Sequence, residues 1–111
     1  MFCGRDFSPQ EADESEVLGL DLVNDLDTGE TLMSSTWSIV VVDGVDANPA
    51  PHLQGPCIEV VPIGASLKTA TIQRVGGLLP GVTYLVKAEV ITTRGNVRSL
   101  WSHIRGVAAV T

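Results

Sequence analysis

The sequence predicts an all-β chain folded as an antiparallel β-sandwich. Three observations lead there. Tyr84, Val86, Ala88 and Val90 alternate with Leu85, Lys87, Glu89 and Ile91, the period-two pattern of a long strand with one face buried. A tight corner, Gly77-Leu78-Leu79-Pro80-Gly81, feeds that strand, with Pro80 fixing φ and Gly81 relaxing the backbone after it. Several more short alternating segments, separated by turn-forming residues, surround it.

Residues 1–15 read as a flexible N-terminal arm, because Gly4, Pro9 and the acids Glu11, Asp13 and Glu14 do not favour a packed element. Phe2 and Phe7 stand out on it as aromatic contacts for a neighbouring subunit. The folded domain is placed at residues 16–111. Its first strand is Glu16 to Val23, with Leu18, Leu20 and Leu22 on one face, and Asn24 to Gly29 ends it. The second is Glu30 to Val42. Trp37, Ile39 and Val41 share one face, and Val40 and Val42 make the other apolar, which predicts cover on both sides. Ser34-Ser35-Thr36 suits a bulge or an edge segment.

Asp43 to Pro56 reads as a long loop, and His52 within it as a partner contact. Ile58 to Ile63 and Thr69 to Val75 are two short strands around Gly64-Ala65-Ser66, with Pro62 marking the first as an edge. Thr93-Arg94-Gly95-Asn96 is a hairpin turn, and Val97 to Ile104 returns as its partner strand. Arg105 to Val110 either finishes the sheet or pairs with a neighbour's edge. The expected core anchors are Trp37, Leu78, Pro80 and Tyr84. A ligand-stacking role is the alternative for Trp37.

Length and composition fit one globular domain: 111 residues, 44% hydrophobic and 18% charged. No apolar run reaches the length of a membrane span, and the first residues lack the basic flank and apolar stretch of a secretory leader. The net charge of −6 divides unevenly: residues 1–46 carry −10 and residues 47–111 carry +4. That balance argues against nucleic acid as a partner. It suits side-by-side packing of copies, an acidic half docking on a basic partner, or simply a solvated acidic surface.

No residue pattern announces a reaction, a metal or a cofactor. His52 and His103, the two histidines, sit in no recognisable motif. No Gly-x-Ser-x-Gly or glycine-rich phosphate loop occurs. Asp25 to Glu30 resembles the start of a calcium loop, but Glu30 holds the place of its glycine and Thr36 that of its closing glutamate, which leaves an Asx-type turn. The acids cluster in the arm and first turns rather than as facing pairs. Cys3 and Cys57 have no zinc or redox spacing; two free thiols are the default, an internal disulfide the alternative.

Two resemblances sharpen this reading. Leu78-Leu79-Pro80-Gly81-Val82-Thr83-Tyr84 resembles the leucine–x–proline–glycine–x–x–tyrosine corner of fibronectin type III domains, which implies an Ig-like or fibronectin-III-like sandwich with the tyrosine locking the corner. Glu16-Val17-Leu18-Gly19-Leu20-Asp21-Leu22, Gly29-Glu30-Thr31, Ser34 to Ile39, Gly81 to Tyr84 and Ile91 to Asn96 resemble small tailed-phage virion proteins of the fiber–tail adaptor type. That resemblance spans about residues 14–104. It implies a non-enzymatic structural protein, present in many copies in the virion and in the host cytoplasm during assembly. Its partners would be neck, tail, fiber or capsid subunits. The Asp43–Pro56 loop and the cysteine-bearing arm depart from the family. A capsid decoration protein is the alternative, followed by a bacterial-surface adhesion or carbohydrate-binding module, which the 5% aromatic content supports poorly.

Overall fold

A computed structural model describes residues 6–108; Phe2 and Cys3 lie outside them. The described residues form seven strands, β1 (Gln10–Glu11), β2 (Ser15–Asp21), β3 (Leu32–Asp43), β4 (Leu53–Val60), β5 (Ala70–Gly76), β6 (Thr83–Thr92) and β7 (Val97–Val107). Two single 3-10 turns, Val23–Asp25 and Ala50–His52, are the only helical geometry among the described residues. The strands form two sheets, in the orders β1-β7-β6-β3 and β2-β5-β4, packed as a sandwich. Every pairing is antiparallel except that of β1 with β7.

The core follows from alternation. Tyr84, Val86, Ala88 and Val90 point inward from β6 and are fully buried; Trp37 and Ile39 lie beside them on β3 of the same sheet, and Leu18 and Leu20 face them from β2 of the other. β6 pairs on both sides, which suits the longest clean alternation in the chain. Trp37 and Tyr84 share this core. They stand opposite Ala88 and Val41 respectively, so they occupy different levels of the β3–β6 ladder.

The interior is more polar than alternation predicts. Thr71 and Gln73 face inward from β5 opposite Leu20 and Leu18. Thr71 Oγ1 accepts the Trp37 indole N–H at 2.9 Å, the partner that a buried Trp requires. Gln73 Nε2 donates to the carbonyls of Gln54, Gly55 and Arg74. Those of Gln54 and Gly55 lie in the irregular stretch of β4 where register shifts between Gln54 and Ile58, so one amide satisfies acceptors that the disrupted ladder frees.

Four expectations are corrected. β4 begins at Leu53 rather than Ile58, which shortens the predicted Asp43–Pro56 loop. Pro56 is tolerated in the strand because β4 is an edge and bulges there. β3 is covered on one face only: it is the edge of the larger sheet, with Val40 and Val42 exposed on the open side. Pro80 is exposed and no core anchor. It occupies the second position of a turn in which Val82 N–H donates to the Leu79 carbonyl, and Gly81 at φ 79° takes the third, the positive-φ place of a type II turn. Leu78 is fully buried, as expected.

The fourth correction concerns the arm. From residue 6 onward it is docked on its own chain. Phe7 N–H donates to the His103 carbonyl, Gln10 and Glu11 pair with Gly106 and Val107, and Ala12 N–H donates to the Val107 carbonyl. Phe7 packs against the core, and Gln10, buried at 1% exposure, reaches across the layers to the Val75 carbonyl. The pairing covers the C-terminal end of the otherwise open edge of β7, from His103 to Val107, and β7 itself runs on through Val107 and so finishes the sheet.

Candidate functional site

Two polar clusters organise the ends of the sandwich. At one end, Tyr84 sits at the start of β6 with its ring fully buried. Its hydroxyl accepts the Leu79 N–H at 3.1 Å and donates to Asp46 Oδ2 at 2.7 Å. The first bond is the predicted return onto corner backbone; the second ties the β3–β4 connection to the same point. His52 closes the cluster, with Nε2 2.7 Å from Asp46 Oδ2, Nδ1 3.1 Å from the Gly76 carbonyl, and its ring edge-on to Tyr84 at 5.4 Å. The Tyr84 hydroxyl bond, then that of His52, holds the Asp46 carboxyl below its ordinary range. Burial, with the Asp46 carboxylate added, pushes the Tyr84 hydroxyl up to about 12.

An Asp–His–Tyr cluster invites comparison with catalytic triads, but the geometry is that of a staple. Each ring nitrogen of His52 faces an oxygen acceptor, so neither is aimed at a bound substrate. The Tyr84 hydroxyl is engaged as donor and acceptor within the corner. His52, singled out as a partner contact, is thus committed to its own chain.

At the other end, Glu30 lies 1% exposed between the sheets' termini. Its carboxylate accepts the Thr92 hydroxyl, the Asp27 N–H at 3.0 Å and the Asn96 side-chain amide at 2.8 Å. Thr93 N–H donates to the Thr31 carbonyl, and Thr31 N–H donates to the Thr93 hydroxyl. The Gly29-Glu30-Thr31 segment and the β6–β7 hairpin turn, some sixty positions apart, therefore form one clamp. These bonds, that of Thr92 foremost, lower the Glu30 carboxyl to about 2.

A depressed carboxylate contributes stability above its unfolded pKa, near 4.3, and that contribution is lost as pH falls through the folded value. Glu30→Gln is therefore expected to lower Tm by several degrees at pH 6–7. The gap from wild type should close progressively between about pH 4 and pH 2 in thermal melts followed by circular dichroism. A gap independent of pH across that window would rule out the charged clamp.

The remaining candidates stay apart. His103 Nδ1 lies 3.3 Å from Asp6 Oδ1 on β7, with its ring edge-on to Trp101. Cys57 is half-buried, donates its thiol to the Ser35 carbonyl at 3.2 Å, and has no disulfide partner among the described residues. No three His, Cys, Asp or Glu side chains gather as a metal site among those residues. Sequence reasoning named Tyr84 and His52 but not Asp46, because a tyrosine corner advertises the need for an acceptor without saying which loop acid supplies it. The fold is an all-β sandwich. Comparison with family models, curated proteins and solved structures found no match to the chain.

Proposed function

We propose that this chain is a non-enzymatic structural protein of a tailed-phage particle, of the fiber–tail adaptor type, held between neighbouring virion subunits through its exposed faces and edges. The observation that carries the reading is the Glu30 clamp. Gly29-Glu30-Thr31 and Ile91 to Asn96, two of the segments resembling that family, are brought together by hydrogen bonds that Thr92 and Asn96 donate to Glu30 and by the reciprocal pair between Thr31 and Thr93. Residues that recur as separate short motifs make sense when one structural joint needs all of them. The Ig-like form of the sandwich is part of the same proposal, supported by the order β2-β5-β4 facing β7-β6-β3 and by the tyrosine hydroxyl bound to its corner.

Edges and outer faces are what such a protein offers. β3 runs twelve residues as the outer strand of its sheet, without a charge or proline before Asp43, and β4 is the outer strand of the other. The test is to locate the labelled protein on assembled particles by electron microscopy, beside mass spectrometry of purified virions. Label at the neck, tail or fibers supports the proposal; label on heads that lack tails favours capsid decoration. Label confined to cells that hold no particles would reject both.

A further inference from the structure

The outer face of the β2-β5-β4 sheet is apolar at its centre and carries its charges at opposite ends. Register places three rows across it: Val17, Arg74 and Gln54; then Gly19, Ile72 and Ile58; then Asp21, Ala70 and Val60. Val17 and Ile58 are 48% and 52% exposed, and Pro56 lies beside them in a shallow concavity floored by Ile72. Gly19 has no side chain to raise the middle row. Arg74 and Asp21 stand one row to either side of that middle, on neighbouring strands.

We propose that two copies of the chain associate through this face, related by a twofold axis that lies between the sheets along the Gly19–Ile72–Ile58 row. The charges select both the occupant and the axis. That rotation reverses the order of rows while keeping each strand over its counterpart. Arg74 of each copy then lies over the Asp21 end of the other, forming two equivalent ion pairs, and the apolar middle rows meet. An axis along the strands would instead stack Arg74 on Arg74. Sheets can pack in this way at about 10 Å with their strands near alignment. A second copy is thus complementary to the face in charge as well as in apolarity. The inference stands apart from any address in a virion, so either can fail alone.

The test is sedimentation equilibrium of the isolated protein at physiological salt, over about 5–500 µM. Wild type is expected to show a monomer–dimer equilibrium. Ile58→Glu and Gly19→Glu should abolish it. Both positions tolerate the change in the monomer: Ile58 is exposed, and a Cβ at Gly19 meets only Ile72 Cγ2 at 3.4 Å and the Thr71 carbonyl at 3.9 Å. Arg74→Glu alone, and Asp21→Arg alone, should each weaken self-association at least about tenfold. An equimolar mixture of those two variants should dimerise again, because each mixed pair restores both contacts.

Asp21 also accepts hydrogen bonds from Val23 N–H and Thr69 Oγ1, so circular dichroism must show that the arginine variant is folded. If it is not, Glu at Ile58, Gly19 and Arg74 decides the matter alone. A wild type monomeric throughout the range would overturn the proposal, and so would a dimer indifferent to Glu at Ile58, Gly19 and Arg74. With Arg74→Glu and Asp21→Arg both folded, a mixture of them that stays monomeric while wild type dimerises would overturn the axis.

Discussion

Gly106→Ala should be among the most damaging single-methyl changes in this protein. A Cβ on Gly106 would lie 2.2 Å from the Leu79 carbonyl oxygen and 3.1 Å from Leu78 Cβ. The obstacle is backbone, so no rotamer change relieves it. Neither side can retreat cheaply: Gly106 N–H donates to the Val82 carbonyl, Gly81 N–H donates to the Gly106 carbonyl, and Leu78 is fully buried. The expected loss is about 3–4 kcal/mol, beyond ordinary overpacking because two hydrogen bonds and a buried leucine move together. For a domain of this size that lowers Tm by about 15 °C.

Gly95→Ala is the control. Its φ of 77° makes the change mildly strained, but nothing lies within 4 Å of the added carbon. It should cost about 1 kcal/mol. Thermal melts of the two variants distinguish collision from backbone strain. Equal, small shifts would mean that the corner does not rest on β7 as described.

Gly106 also shows where sequence reading stops. Alternation on β6 is a local signal, so the sequence alone assigns Tyr84, Val86, Ala88 and Val90 to one face. The corner was legible for the same reason: proline, glycine and tyrosine stand within five positions of one another, and the hydroxyl's return to backbone follows from short reach. Gly106 is required by a backbone that passes over it from more than twenty residues away, and nothing beside it in the chain records that crossing. The docking of the arm is hidden from the sequence in the same way. Its acids and proline describe a segment unable to hold itself, and say nothing about the vacant edge of β7 that holds it. Glu30 stands in the sequence as a misfit in a calcium loop and within a short family-like segment, and neither marks it as a clamp, because its partners lie on the far hairpin. The early start of β4 was hidden by Gly55-Pro56, a pair that reads as a turn unless the strand is known to be an edge that bulges.

Tyr84 should separate packing from hydrogen bonding at the other end. Tyr84→Ala removes a ring with no exposed surface from the centre of the corner, and is expected to cost about 4 kcal/mol, the range for an aromatic cut to alanine in a core. Tyr84→Phe keeps the ring and deletes the hydroxyl, which strands the Leu79 N–H and removes a donor from Asp46. About 2 kcal/mol is expected, since buried groups lose their partners without gaining water. The two effects are coupled to Asp46, so Asp46→Asn should matter much less in the Tyr84→Phe background than in wild type.

Because Tyr84 is the chain's one tyrosine, tyrosinate absorbance reports on it alone. Its pKa is raised to about 12 in the folded state against about 10 unfolded, so the stabilising contribution is complete below pH 10 and is lost as pH climbs toward 12. Native protein should titrate late, protein in denaturant near 10, and wild type should lose stability over that interval while Tyr84→Phe lacks this contribution. A tyrosine that ionises near 10 in the native protein would place its hydroxyl in water and dissolve the corner on which the Asp46 and His52 contacts depend.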